Sequence, residues 1–229
     1  MRKELLAVFV SLALSAPAFA AKPKCDLPEW RELSHEASVL KSHAGVAQRD
    51  GNHLKITLEN GKSIDLNDRV EGDEAGAASD IHRVVDAGPH GEWVTVFESG
   101  SDSFGYKVIH RKSGKVEELG GCPIWSPTHK KDGEYFVALH EDLESGKTSN
   151  EASLWFCEKP SESCQKIWCA PGSEGGRDAQ WSGSKVRITL SKIDMDRAGQ
   201  PEVIQTVNCS PKKANSGCIK PKAWKKAGK

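Results

Sequence analysis

Tyrosine and methionine are nearly missing from the 229 residues, with two of each, and the formal net charge is zero. Such a chain has no global field to draw it to nucleic acid. Beyond the first twenty residues no apolar run approaches the length of about 20 that a membrane-crossing helix needs. There is no Gly-x-Ser-x-Gly elbow, no phosphate loop and no His-x-x-x-His pair. These absences exclude the nucleophile elbow, the phosphate-loop nucleotide site and the helical zinc site. Cys157-x6-Cys164-x4-Cys169 matches no common zinc spacing. Asp194-Met-Asp196-Arg-Ala-Gly199 begins like a calcium loop, but Ala198 falls on a ligand position and the distant Glu is missing. The eight histidines are scattered: His35 and His43 on or near an expected helix, His82 and His110 in expected strands. No catalytic residue, metal ligand set or cofactor is assigned.

What is present starts with an address. Arg2 and Lys3 precede the apolar run Leu5 to Leu14, and Ala18-Phe19-Ala20 is a small-x-small cleavage site. Residues 1–20 are expected to be a cleaved signal peptide and the mature chain a periplasmic protein. Lys22-Pro23-Lys24 ahead of Cys25 argues against lipid attachment. Residues 21–210 are expected to form one β-repeat domain, followed by a basic tail over 211–229. That tail carries seven Lys and no acid, whereas Asp65 to Asp80 is the most acidic stretch. The tail can contact an anionic surface, fold back on the acidic body, or stay solvated.

Seven cysteines lie in the exported part, where disulfides persist. Cys157 and Cys164 flank a polar turn, and so do Cys209 and Cys218. Each pair is expected to face across a hairpin within bonding reach, and both bridges are predicted. Cys25, Cys122 and Cys169 then leave one thiol odd, free or intermolecular.

Leu27 to Leu40 places apolar residues at 27, 30, 33, 37 and 40, a helical stripe with a start signal at Asp26, Pro28 and Glu29 and a stop at Gly45. From Val46 the pattern is β. Leu54 to Leu58 alternates, Glu59-Asn-Gly-Lys62 is a hairpin turn and Ile64 to Leu66 returns. Strands are expected at 81–85, 93–97, 105–109 and 116–119, then in four segments of 122–169, then at 178–181, 185–190 and 201–209, with a last short run after Cys218. Gly91-Glu-Trp93, Gly133-Glu-Tyr135 and Gly183-Ser-Lys185 each open a second strand. Asn60-Gly-Lys62 and Ser113-Gly-Lys115 each join a third strand to a fourth, the place the two bridged hairpins also take. The fold class is therefore mainly β, with antiparallel four-stranded repeat units arranged as a propeller or an open β-meander and a short N-terminal helix.

Pro123-Ile-Trp-Ser-Pro127 with Asp132-Gly-Glu134 and Phe136-Val-Ala138 resembles the TolB-type propeller repeat, and Leu154-Trp155 resembles its third strand. The match covers 122–169 and is interrupted by Thr128 to Lys131; Trp181-Ser182 is a partial echo. The resemblance implies stacked four-stranded blades, of which this chain has room for four at most. The function favoured is an exported protein-interaction module. Its partner is a macromolecule of the cell envelope, and it acts as an inhibitor or immunity protein or as an envelope assembly factor. The alternatives are a ligand- or glycan-binding domain and a hydrolase or lyase on that scaffold. A glycan site requires several of the seven Trp exposed together, whereas inter-blade packing buries them.

Overall fold

A computed structural model describes residues 33–70, 79–88, 91–100, 104–128, 130–140, 151–159, 161–170, 175–193, 202–213, 215–219 and 225–226. The expected leader and the Asp194–Gly199 loop lie outside them. Among the described residues one helix, α1 (Leu33–Ser42), precedes sixteen strands. The first sheet holds β1 (Ala47–Asp50), β2 (His53–Thr57) and β3 (Ser63–Asn67). The second holds β4 (Arg69–Val70), β5 (Ser79–Asp86), β6 (Trp93–Ser99), β7 (Phe104–His110) and β8 (Val116–Leu119). The third holds β9 (Cys122–Trp125), β10 (Gly133–His140), β11 (Glu151–Glu158) and β12 (Ser163–Cys169). The fourth holds β13 (Gly175–Ser182), β14 (Lys185–Ile193), β15 (Glu202–Cys209) and β16 (Lys225–Lys226).

In every sheet neighbours in sequence are neighbours in space and run antiparallel, so each is a meander. No ladder joins one sheet to the next among the described residues, and no closed barrel forms. The sheets are held by side chains. β6 and β10 are buried on both faces, whereas β2 and β14 alternate. The two middle sheets are thus covered on both sides and the two end sheets on one. One core runs through the second, third and fourth sheets by way of Phe97, Val108, Phe136, Leu154, Ile188 and Val207. A second joins the first sheet to the second through Leu54, Ile56, Val84, Val94 and Ile109, with Val39 and Leu40 of α1 laid against it.

The Trp-Ser-Pro segment explains how one sheet is keyed to the next. Trp125 packs on Phe136 at 4.9 Å and on Trp93 at 6.0 Å, and its Nε1 donates to Thr95 Oγ1 of the second sheet at 3.2 Å. Trp181 Nε1 donates to the Ile124 carbonyl, tying the fourth sheet to the third at 3.0 Å. Gly133 opens β10 at φ 155°, where an added Cβ would lie 2.2 Å from the Cys157 carbonyl oxygen. Only glycine lets β10 and β11 close at that point.

One expectation changes and two stretches gain definition. The helix continues to Ser42, but its inward position is Glu36, 1% exposed, while Ala37 of the expected stripe faces solvent. Glu36 accepts two bonds from the Arg49 guanidinium and one from the Val84 amide, so the buried charge is paired. The acidic stretch is not loop throughout. Residues 63–67 form β3, 69–70 form β4, and β5 begins at Ser79, with Arg69 opposite Asp80 and Val70 opposite Ser79. After Cys218, where a last short run was expected, the described part of the basic segment joins the fourth sheet: Ile219 bridges to Asn208, and Lys225 and Lys226 pair with Ile204 and Val203.

Candidate functional site

Alternate turns of a meander fall on the same end, so the β2–β3 turn, the β5–β6 and β7–β8 turns, the β9–β10 and β11–β12 turns and the turns after β13 and β15 share one rim. The β2–β3 turn is set by Gly61 at φ 81° and by Asn60 Oδ1, which accepts the Lys62 amide at 2.9 Å. The β7–β8 turn follows the same plan, with Gly114 at φ 76° and the Gly114 amide bonded to the His110 carbonyl at 2.8 Å. Glu162 in the β11–β12 turn and Lys213 in the turn after β15 take positive φ of 53° and 52° without being glycine. They are the non-glycine residues in that conformation among the described residues. A left-handed L-residue costs roughly 1–2 kcal/mol. Strain of this kind persists where the surroundings fix it, and it collects at functional surfaces.

The turns are braced to each other. Arg111 is the central brace: its Nε donates to the Thr57 carbonyl and its Nη1 to the Gly91 carbonyl, both at 2.9 Å. Its own carbonyl accepts the Glu59 amide at 2.9 Å. Lys112 pairs with Glu162 at 2.8 Å, Lys115 donates to the Ser161 carbonyl at 2.8 Å, and Lys159 pairs with Glu92 at 3.2 Å. On the fourth sheet, Tyr135 donates to the Lys213 carbonyl at 3.2 Å and Lys130 to the Pro211 carbonyl at 3.1 Å. One surface therefore carries turns from four sheets. Cys157–Cys164 and Cys209–Cys218 are both bonded, each with its Cα atoms 3.9 Å apart, and they lock the third and fourth turns.

The rim's electrostatics follow from these contacts. Glu162 is held below the ordinary carboxylate range by its bond from Lys112, and the same bond raises Lys112. His110 lies under the rim against Trp93, ring centroids 4.4 Å apart, with Nδ1 2.8 Å from Ser113 Oγ. Burial lowers its pKa, opposed by Glu162, Glu59 and Glu92. Lys130 is lowered by burial and then by Lys212, and it sits over the Tyr135 ring at 4.5 Å. The rim is mixed in sign over the first three sheets and basic over the fourth.

Elsewhere the chemistry is structural or open. Arg49, Asp68 and Arg83 join Glu36 in a buried ion network, with Asp68 Oδ1 accepting the His82 amide at 2.8 Å. A cavity of about 470 Å³ opens on the second sheet toward the opposite rim, lined by Asp80, Glu98, Lys107 and Glu118 over Gly105 and Gly120. Glu98 pairs with Lys107 at 2.6 Å.

The four cysteines expected to bond, Cys157, Cys164, Cys209 and Cys218, are thus brought to the rim in pairs. Cys169 is free and exposed at the end of β12, and Cys122 is disulfide-bonded to a partner outside the described residues. Trp93 is buried, and Trp125, Trp155, Trp168 and Trp181 are partly buried against the core, which is inter-sheet packing and not an exposed platform. No group of His, Cys, Asp and Glu suited to a metal ion occurs among the described residues. No described helix is long and apolar enough to cross a membrane. Arg111 and the Glu36–Arg49 network were not singled out in the sequence. The first is signalled only by its place before the Lys112-Ser-Gly-Lys115 turn, the second by nothing local. No known protein family matches the chain, and no curated protein matches it.

Proposed function

We propose that this chain is an exported protein-interaction module of the cell envelope that binds a protein partner through the braced rim. It acts there as an inhibitor or immunity protein or as an envelope assembly factor. The observation that carries the reading is the Arg111-centred bracing of turns from successive sheets, with two disulfides and two strained charged residues in the remaining turns. A surface fixed in advance loses little conformational freedom on binding, which favours affinity. Variable turns on a repeated scaffold are the usual place for such a surface. The signal peptide and the likeness to TolB-type repeats agree with this placement and architecture.

The test is capture from envelope extract at moderate salt, with rim and off-rim variants side by side. One dominant protein should be retained by the unaltered chain, lost with Lys62→Glu combined with Lys115→Glu, and kept with Glu118→Lys on the opposite side. Equal capture by all three would remove the rim from the function.

A further inference from the structure

Among the described residues no further sheet lies on the outer face of the fourth sheet. Along β14 Val186, Ile188 and Leu190 point into the core, so Lys185, Arg187 and Thr189 point outward. Register puts Gln180, Arg187, Asn208 and Ile219 in one row on that outer face. A hollow of about 300 Å³ lies there, lined by Gln180, Trp181, Lys185, Arg187, Asn208 and Ser210 among others, and among the described residues no Asp or Glu lines it. Neither Lys185 nor Arg187 is paired with any described residue, and both are exposed. On the same face of β13, Asp178 is engaged by Gln180 Nε2 at 2.9 Å. At the edge of the hollow Ile219 is 75% exposed. Lys212 and Lys213 follow Ser210 on the adjoining rim, beside Lys130.

We infer that this outer face docks an acidic, extended segment of the protein partner, whose alternate carboxylates meet Lys185 and Arg187 while an apolar residue covers Ile219. Lys185 and Arg187 are two positions apart on one strand, so their side chains emerge about 7 Å apart. That is also the repeat of same-face side chains along an extended peptide. Arg187 offers a planar fork for one carboxylate and Lys185 a point charge for the next. Gln180, Asn208 and Ser210 add donors beside them. The open face with its exposed apolar residue gives the segment surface to cover. This assignment rests on the reading of the chain as an interaction module and names the chemistry of what it binds.

The probe is a labelled peptide of alternating Glu and Val, titrated into the full chain as purified after export, with anisotropy as the readout. Arg187→Glu should weaken binding about tenfold. Lys185→Glu should do likewise, Arg187→Lys should lose less, and Glu118→Lys should change nothing. Near-UV circular dichroism identical to the parent shows that each variant is folded. Peptide binding unaffected by Arg187→Glu overturns the assignment. So does inorganic phosphate, or vesicles of anionic phospholipid, competing as well as the peptide, because the face would then be a general anion site. Salt-sensitive self-association in sedimentation, lost with Arg187→Glu, would give the face to the Asp50 and Asp65 side of a second copy and also overturn it. If the captured partner is lost with the Lys62→Glu, Lys115→Glu variant but kept with Arg187→Glu, this inference fails and the module reading stands. If no partner is captured by any form, the module reading itself fails.

Discussion

At the scale of single residues the second core is pinned by a charge. Glu36 is buried and the Arg49 side chain is 10% exposed, and the guanidinium also reaches Asp68 at 3.1 Å and the His82 carbonyl. Removing one partner of such a pair strands the other charge in a low-dielectric site, at a cost of about 3–5 kcal/mol. Glu36→Ala should therefore lower the unfolding free energy from urea titration by that amount, and the midpoint with it. A double variant with Arg49→Met should recover much of the loss, and a single-variant cost under about 1 kcal/mol would show that water reaches the site. His110 gives a pH dependence. Its folded pKa lies below the ordinary 6.5 because burial disfavours the imidazolium. The unfolded chain then binds more protons in that window, so the contribution is fully present above about pH 6.5 and is lost as pH falls toward the lower folded value. The groups around it are Glu162, Glu59, Glu92 and Lys112. Glu162, lowered from 4.5, has the same sign but acts below that value, and Asp86, raised from 3.8 by burial, has the opposite sign. In His110→Asn the fall in unfolding free energy between pH 7 and pH 5 should be shallower than in the parent; an unchanged slope would assign that window to other groups.

At the scale of elements the hairpin is the recurring unit, and it was the most legible one. Gly61 and Gly114 announce the β2–β3 and β7–β8 turns, and the paired cysteines announce the β11–β12 turn and the turn after β15, because turn chemistry and covalent reach are local properties. Strand ends shifted by up to three residues, as at β13, which begins at Gly175 and not at Asp178. The helix was read from its apolar spacing, and its buried face was missed because the residue facing inward is a glutamate whose partner is on β1. Likewise Arg111 looks like any exposed cation until turns of the first and second sheets converge on it. Long-range pairing of this kind leaves no periodic trace in a single sequence. The bridged turns give a stability test. Cys157–Cys164 closes a loop of sequence separation 7, for which loop-closure entropy suggests about 2–3 kcal/mol. Cys157→Ser with Cys164→Ser should lose that in denaturant titration and should also weaken partner capture, since the turn bearing Ser161 and Glu162 is no longer fixed. Full stability without the bridge would mean that the Lys112 and Lys115 contacts hold the turn unaided.

At the scale of the whole molecule the order of burial follows the order of sheets. β10 is buried along nearly its whole length and β6 over its first five residues, whereas strands of the first and fourth sheets alternate buried and exposed positions. An array whose units contact only their neighbours opens from its ends, because an end sheet loses one interface and a middle sheet two. The polar outer faces of the end sheets, with Lys55 and Asp65 at one end and Lys185 and Arg187 at the other, are what lets four meanders stay apart from further copies in water. Amide hydrogen exchange should accordingly be slowest in β6, β10 and β11, intermediate in β14, and fastest in β1 to β3 apart from the residues held by Arg49 and Arg111. Binding of a partner at the rim should slow the turns at 58–62, 111–115 and 159–163 together, because Arg111 and the Lys112–Glu162 pair couple them. Exchange that is uniform across the four sheets would mean that the array unfolds as one cooperative block, and protection of a single turn on binding would mean that the bracing does not transmit order along the rim.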